Sequence, residues 1–374
     1  MPGDNQAKGR KAEESESFPW STENLPNKLF INNEYVEAKS GQKLEVFNPK
    51  NESLVSNEVP LAGEEDVERA VEAAEAAFPA WRQTTSTARR DCLLKLADLM
   101  EKHQDTLIAL TRLTLGMPVQ PFGGMELGMA INAFRYFAGW TDKLAGESFP
   151  QDDGFLKIIR HEPLGVTAGI VPWNGPMGMT GQKAGPALAT GNCFILKPSE
   201  KTPLAASTMG DPDVPGTLVG PVVDVLQFER IKGFLETGRK EGKVLTGGEA
   251  AQGPGYFIKP TIFEGVHKDA EIVRKEIFGP VAVLNKFSTE EEIIDLANDS
   301  NYGLMAGIFT QDVNRAMRLA SLIDSGNVGI NCISMVFINA PFGGTKESGI
   351  GRENGKDALH AFTEPKTVFI NLTY

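Results

Sequence analysis

The stretch from Val166 to Lys197 constrains the fold more than any other. "VTAGIVPWNGPM" is a continuous apolar strand that ends in Pro, Trp, Asn and Gly. "GPALATGNCFILKPSE" follows as a helix that stops at Gly191 and a second apolar strand, Cys193–Leu196. Strands that are apolar throughout belong to parallel sheets covered on both faces. Strand, helix, strand is a βαβ unit, so the chain reads as α/β with a doubly wound sheet.

The rest of the sequence agrees with that reading. After a polar N-terminal segment, "KLFINNEYVEAKSGQKLEVFNP" gives two short strands around Ser40-Gly41. Val67, Val71, Ala74 and Phe78 recur at helical spacing, with Glu64, Glu65 and Asp66 in the first turn, where the helix dipole favours acids. A second helix is expected from about Thr87, with Leu93, Leu96, Ala97 and Met100 as its apolar stripe and Cys92 as a small buried hydrophobe. A third covers about Gly124 to Trp140. "GFLKIIRHEPLG" alternates like an exposed or edge strand. Beyond Gly210, helices and short strands alternate up to a glycine-rich loop, "PFGGTKESGIGRENG", and a last strand, "KTVFINLTY".

Composition excludes several classes of function. The 374 residues carry 37 Lys and Arg against 49 Asp and Glu, a net charge of −12, which disfavours nucleic acid and anionic membrane as partners. No apolar run approaches the ~18 residues of a membrane span. The first 28 or so residues have no apolar core of a secretory signal and read as a disordered tail. Cys92, Cys193 and Cys332 are scattered, with no disulfide framework or metal-ligand spacing, and the four histidines do not cluster. A reducing cytoplasm is the expected compartment.

In doubly wound sheets ligands bind at the carboxyl ends of strands, and two such ends are marked. At the first, Pro172 and Trp173 can line a site, and Asn174 reads either as a turn residue before Gly175 or as an amide donor to a developing oxyanion. At the second, Lys197-Pro198-Ser199-Glu200 reads either as a solvated, capped turn or as a place where Lys197 and Glu200 hold ribose or phosphate oxygens. In "RKEIFGPVAVL", Glu276 and Phe278 precede a strand, as a salt-bridged acid and a core ring or as a ribose acceptor and a packing surface for a flat base. No GxGxxG of the dinucleotide type occurs; "GIGRENG" has the wrong spacing.

Five segments taken in order, "EPLGVTAGIVPWNGPM", "ILKPSEKTP", "KEIFGPV", "YGLMAGIFTQDVNRAMRLA" and "PFGGTKESGIGRE", resemble the aldehyde dehydrogenase superfamily. The resemblance runs from about Leu29 to the C-terminus. It implies three-layer, doubly wound parallel sheets of that type and NAD-dependent oxidation of an aldehyde to a carboxylic acid through a cysteine thiohemiacetal. Asn174 would be the oxyanion-hole amide. Ile170, Pro172, Trp173, Lys197, Ser199 and Glu200 would line the adenosine half of the cofactor. Glu276 would hold the nicotinamide ribose, with Phe278 beside the nicotinamide. Glu200 favours NAD over NADP, since its carboxylate would repel a 2′-phosphate. A cofactor-binding domain is expected over 29–209, the remainder of the catalytic domain over 210–350 and an oligomerisation segment over 351–374. Strands near 146–162 would join that segment in a homo-oligomer or in a mixed oligomer with a full-length homologue.

The resemblance also marks what is missing. The helix begun by "EKTPLAAS" breaks off at "TMGDPDVPG". In the family it leads into βα units that carry a Gly-Ser at the pyrophosphate, a general-base Glu and the nucleophilic Cys. Roughly a quarter of a full-length chain is absent between about Ser207 and Gly210. Cys193, at the start of a core strand, is expected to be inert, and Cys332 does not match the nucleophile. The alternative reading is therefore a catalytically inactive truncated variant or subunit. The missing units should also leave open strand edges and uncovered apolar faces.

Overall fold

The computed structural model describes residues 21–25, 27–116, 122–202, 219–333 and 335–373. The break between Ser207 and Gly210, and most of the N-terminal segment expected to be disordered, lie outside the described residues.

Two antiparallel hairpins open the chain: β1 (Leu29–Ile31) with β2 (Glu34–Val36), and β3 (Lys43–Phe47) with β4 (Leu54–Pro60). Four helices follow, α1 (Glu64–Arg82), α2 (Ser86–Lys102), α3 (Gln104–Leu115) and α4 (Gly124–Ala138). The sequence reading missed α3. The boundary is His103, which ends α2 and starts α3 within one residue, so no turn chemistry separates the two helices. Next come β5 (Glu147–Ser148), β6 (Phe155–Pro163), β7 (Val166–Ile170), α5 (Pro176–Ala189) and β8 (Cys193–Lys197). β7 and β8 pair in parallel, from Val166 opposite Cys193 to Ile170 opposite Lys197, so the expected βαβ unit is present.

The second half contains α6 (Val225–Glu241), β9 (Lys243–Thr246), β10 (Thr261–Glu264), α7 (Glu271–Arg274), β11 (Val281–Leu284), α8 (Glu290–Asn298), β12 (Tyr302–Gly303), β13 (Met305–Ile308), α9 (Val313–Leu322), β14 (Asn327–Ile330), β15 (Thr345–Lys346), α10 (Asp357–His360) and β16 (Thr363–Asn371). β10 with β11, and β13 with β14, are further parallel pairs. β16 returns to pair antiparallel along the whole of β6. The segment "GYFIKPTIF" forms a strand only from Thr261, because Pro260 interrupts it.

The largest core lies between α2, α4 and α5, around Leu93, Ala97, Leu127, Phe134 and Phe137. Glycines on α5 let it approach α4 closely. A Cβ at Gly181 would come within 2.7 Å of the Ala130 Cα, and one at Gly185 within 2.7 Å of the Phe137 ring. A second core joins Ile231 and Leu235 of α6 to Phe263 of β10 and Ile272 of α7. Three surface expectations fail, one of them at Leu96 of the α2 stripe, which is exposed. Val67 is exposed because the buried residue of that turn is Asp66, whose carboxylate takes the amides of Lys39 and Gly63. Cys92 is exposed on the outer face of α2 rather than buried.

Asn192 ties these layers together. It is fully buried; its Oδ1 accepts from Gly165 N at 2.9 Å, and its Nδ2 donates to Thr190 Oγ1 and the Phe362 carbonyl, each at 2.9 Å. One side chain thus joins the entry to β7, the end of α5 and the C-terminal segment. Asn192→Ala leaves the buried Gly165 amide without its acceptor, whereas Thr190 Oγ1 keeps its bonds to the Pro186 and Ala187 carbonyls and the Phe362 carbonyl keeps that from Leu164 N; the loss should cost about 1–3 kcal/mol. Urea denaturation followed by circular dichroism checks this.

Candidate active site

The βαβ unit places its variable ends where a ligand reaches them. Ile170 and Lys197 are register partners at the carboxyl ends of β7 and β8, and Val171 N still donates to the Lys197 carbonyl at 3.1 Å. Past that bond the strands diverge. Ile170 is 72% exposed, unusual for a large aliphatic residue in a parallel strand, and Leu196 beside it is also exposed. The expected open face is therefore at β7 and β8.

Lys197 Nζ stands 3.8 Å from Glu200 Oε2, and Ser199 Oγ donates to the same oxygen at 3.3 Å. Ser199 itself is buried and its Oγ accepts from Lys201 N, so it braces the turn, while Lys197 and Glu200 face solvent. An exposed aliphatic surface edged by one ammonium and one carboxylate fits an adenosine: a flat apolar base with a hydroxyl-bearing ribose.

The chain brings Trp173 to Phe278 although 105 positions separate them. Their rings meet edge to face at 5.0 Å between centroids. Trp173 also packs on Leu115 and Val223, and its carbonyl accepts from Thr202 Oγ1 at 3.2 Å. Phe278 sits in the left-handed region at φ 57°, a conformation that costs a non-glycine residue energy. The face of α6 holds it there: Gln227 Nε2 donates to the Phe278 carbonyl at 2.8 Å and to the Ile277 carbonyl at 3.2 Å, and Arg230 donates to the carbonyls of Glu276 and Ile277. With the backbone gripped, the Phe278 ring is 40% exposed. The Glu276 carboxylate is exposed and makes no hydrogen bond or ion pair among the described residues. A free carboxylate beside an exposed ring fits a second ribose and a second flat ring.

Asn174 is exposed in the turn between β7 and α5. It lies just before Gly175, the N-cap of α5, which offers no side-chain cap. The cap comes from α4: Glu126 Oε1 accepts from Met177 N at 2.7 Å and from Gly178 N at 2.8 Å. Burial pushes the Glu126 carboxyl above the usual carboxylate range, against the pull of those two amides. A cleft on the inner side of the same βαβ unit is lined by Gly169, Ile170, Gln182, Lys183, Phe342 and Glu353. There Lys183 of α5 forms an ion pair with Glu353 of the glycine-rich loop. Neither Glu126 nor the Lys183–Glu353 pair was singled out from sequence. Glu353 lies within a motif the sequence did mark, whereas nothing local to Glu126 announces a contact with residues so far along the chain. Among the described residues, no group of three His, Cys, Asp or Glu is placed to hold a metal ion.

Comparison with known proteins gives the family. The Aldehyde dehydrogenase family matches residues 35–209 and 204–368. An aldehyde dehydrogenase of Agaricus bisporus is 33% identical, with 92% of this chain and 95% of that protein covered. Human retinaldehyde dehydrogenase 3 is 33% identical over 92% of this chain and 93% of its own. The NAD+ complex of aldehyde dehydrogenase from Bacillus cereus superposes with a TM-score of 0.88 at 32% identity, covering 92% of this chain and 96% of that one. The chain belongs to the aldehyde dehydrogenase family.

The first of these alignments spans 476 positions, whereas this chain has 374 residues, so at least 476 less 374, or 102, aligned positions have no residue here. The two matched stretches meet at 204–209, where the sequence places its break.

The three thiols occupy unlike surroundings. Cys92 is exposed on α2, and Cys193 lies at the opposite end of β8 from Lys197. Cys332 lies just past β14, close enough to Gly329 that a Cβ added there would meet it. Burial pushes the Cys193 thiol up from its ordinary value, so less of it is thiolate at any given pH below that range. Labelling with a maleimide at pH 8 should modify Cys92 well before Cys193. The deficit at Cys193 should shrink as the pH is raised, read by mass spectrometry of tryptic peptides.

Proposed function

We propose that the chain keeps the nucleotide-binding side of an NAD-dependent aldehyde dehydrogenase, the family whose reaction oxidises an aldehyde to a carboxylic acid. The observation that carries this reading is the contact between Trp173 and Phe278, which unites the two marked ends of the site within a fold shared with an NAD+ complex. In this reading Ile170, Pro172 and Trp173 form the apolar wall for the adenosine half. Lys197 donates to ribose oxygens and Glu200 accepts from ribose hydroxyls, with Ser199 holding Glu200 in place. Glu276 accepts from the hydroxyls of the nicotinamide ribose, and the Phe278 ring packs beside the nicotinamide. The amide of Asn174 donates to the oxyanion that forms when an aldehyde carbonyl is attacked. Bound NAD supplies the hydride acceptor.

NAD is preferred over NADP in this proposal because the exposed Glu200 carboxylate repels a 2′-phosphate. At close range near a surface that repulsion amounts to about 1 kcal/mol or more. Glu200→Ser should therefore raise affinity for NADP relative to NAD by roughly five- to tenfold, measured by fluorescence titration with each nucleotide. Oligomerisation through β6 and β16, whose Phe155 and Phe369 are exposed, and a cytoplasmic location belong to the same proposal. So does the division into a cofactor-binding domain over 29–209, a catalytic remainder over 210–350 and an end segment over 351–374. Among the described residues no helix is long and apolar enough to cross a membrane.

A second reading is favoured by one observation: at least 102 aligned positions are absent and the surviving thiols lie in other surroundings. In it the chain binds nucleotide without turning over aldehyde, as an inactive subunit. NADH formation from NAD and a panel of aldehydes, with and without a thiol-blocking reagent, separates the two readings. Turnover that the reagent abolishes establishes an active enzyme that uses a recruited cysteine. No turnover beside an active full-length relative establishes the inactive subunit.

A further inference from the structure

No side chain of the turn that carries Trp173 and Asn174 caps the helix that follows it. Its C-terminal end is the start of α5, where Gly175 caps without a side chain and Pro176 has no N–H. The orphan donors are therefore the amides of Met177 and Gly178. Both go to a single oxygen, Oε1 of Glu126, which lies about fifty residues earlier, in the first turn of α4. Glu126 is 7% exposed, and its other oxygen, Oε2, is buried with no hydrogen-bond partner.

Three features make this more than an ordinary helix cap. The carboxylate stands at the positive ends of both α4 and α5, so its charge favours the seating of each helix start against the other. The spacing between the helices is set by backbone contact, because Gly181 leaves no room between α5 and Ala130. The carboxylate cannot move with α5 independently of α4. A polar cap at position 175 would occupy the turn itself. Supplied from behind, the cap leaves the outward side of the turn to the Trp173 ring, against Phe278, and to the exposed Asn174 amide.

We propose that Glu126 is a positioning residue for the Pro172–Gly175 turn, fixing the start of α5 from α4 and thereby the placement of Trp173 against Phe278 and of the Asn174 amide. The consequence for nucleotide rests on the function proposed above; the placement of Trp173 does not.

The test uses the full chain labelled with 5-fluorotryptophan and observed by fluorine NMR, with the Trp173 resonance assigned through Trp173→Phe. Glu126→Ala should shift the Trp173 resonance by more than its line width and leave those of Trp81 and Trp140 in place. Glu126→Gln keeps an oxygen for the two amides and should return Trp173 close to its original position. Glu126→Asp withdraws the carboxylate by one methylene and serves if the alanine variant does not fold; it too should move Trp173 alone. An unmoved Trp173 resonance in both the alanine and aspartate variants overturns the proposal. A common shift of the Trp81, Trp140 and Trp173 resonances, three of the chain's four, also overturns it, since that marks a residue that merely holds the fold together. In the second arm, Glu126→Ala should weaken NAD binding roughly tenfold, as misplacement of a positioned group does, with Glu126→Gln close to the parent chain. If the parent chain binds no NAD, the proposed function fails while the resonances still decide the role of Glu126.

Discussion

The packing of α5 on α4 is the constraint on which the site depends. Two glycines on α5 bring the helices to backbone contact at Ala130 and ring contact at Phe137. That closeness lets a carboxylate on α4 reach the first amides of α5. The same helix leads back from the turn at the end of β7 and delivers the chain to Asn192 and β8. Close-packed interiors have little room to relax, so this helix pair works as a rigid base for a turn that is otherwise exposed. The strand end, the turn, the helix start and the next strand are all referred to one interface.

A second device joins the base to the other half of the chain. α6 holds the 276–278 loop by its carbonyls through Gln227 and Arg230, which orients the Phe278 ring toward Trp173 at the cost of a left-handed backbone. Lys201 of the β8 turn meets Asp224, the cap of α6, at 2.5 Å. The residues on either side of 203–218 are thus bridged by an ion pair and an aromatic contact. These contacts account for a site whose two ends stay together although the chain is far shorter than its alignment with full-length relatives. The uncovered Ile170 and Leu196 mark the other consequence: apolar surface at the edge of a two-stranded parallel sheet, which a soluble protein ordinarily covers.

Much of this was legible in the sequence because it depends on local chemistry. A continuously apolar strand ending in Pro-Trp-Asn-Gly, and another ending in Lys-Pro-Ser-Glu, announce a parallel βαβ unit and its binding ends. The family resemblance assigned Trp173 and Phe278 to opposite halves of one cofactor, and the contact between their rings emerges only from the structure. What the sequence concealed depends on distance or on backbone conformation. Glu126 looks like any acid in a first helical turn until α5 is laid beside it. Lys183 and Glu353 are unremarkable until the glycine-rich loop folds back onto α5. The left-handed Phe278 carries no signal, since that conformation is imposed by α6. α3 was missed because α2 runs into it through a single residue, and Cys92 was misplaced because a helical stripe fixes a face only to within a residue or so.

The central claim is that the nucleotide side of the site survives as a binding surface without the segment that full-length relatives carry next to it. Isothermal titration of the purified chain with NAD tests it most directly. The account predicts saturable one-site binding that is lost on Trp173→Ala. An absence of binding, or binding indifferent to Trp173, would contradict it.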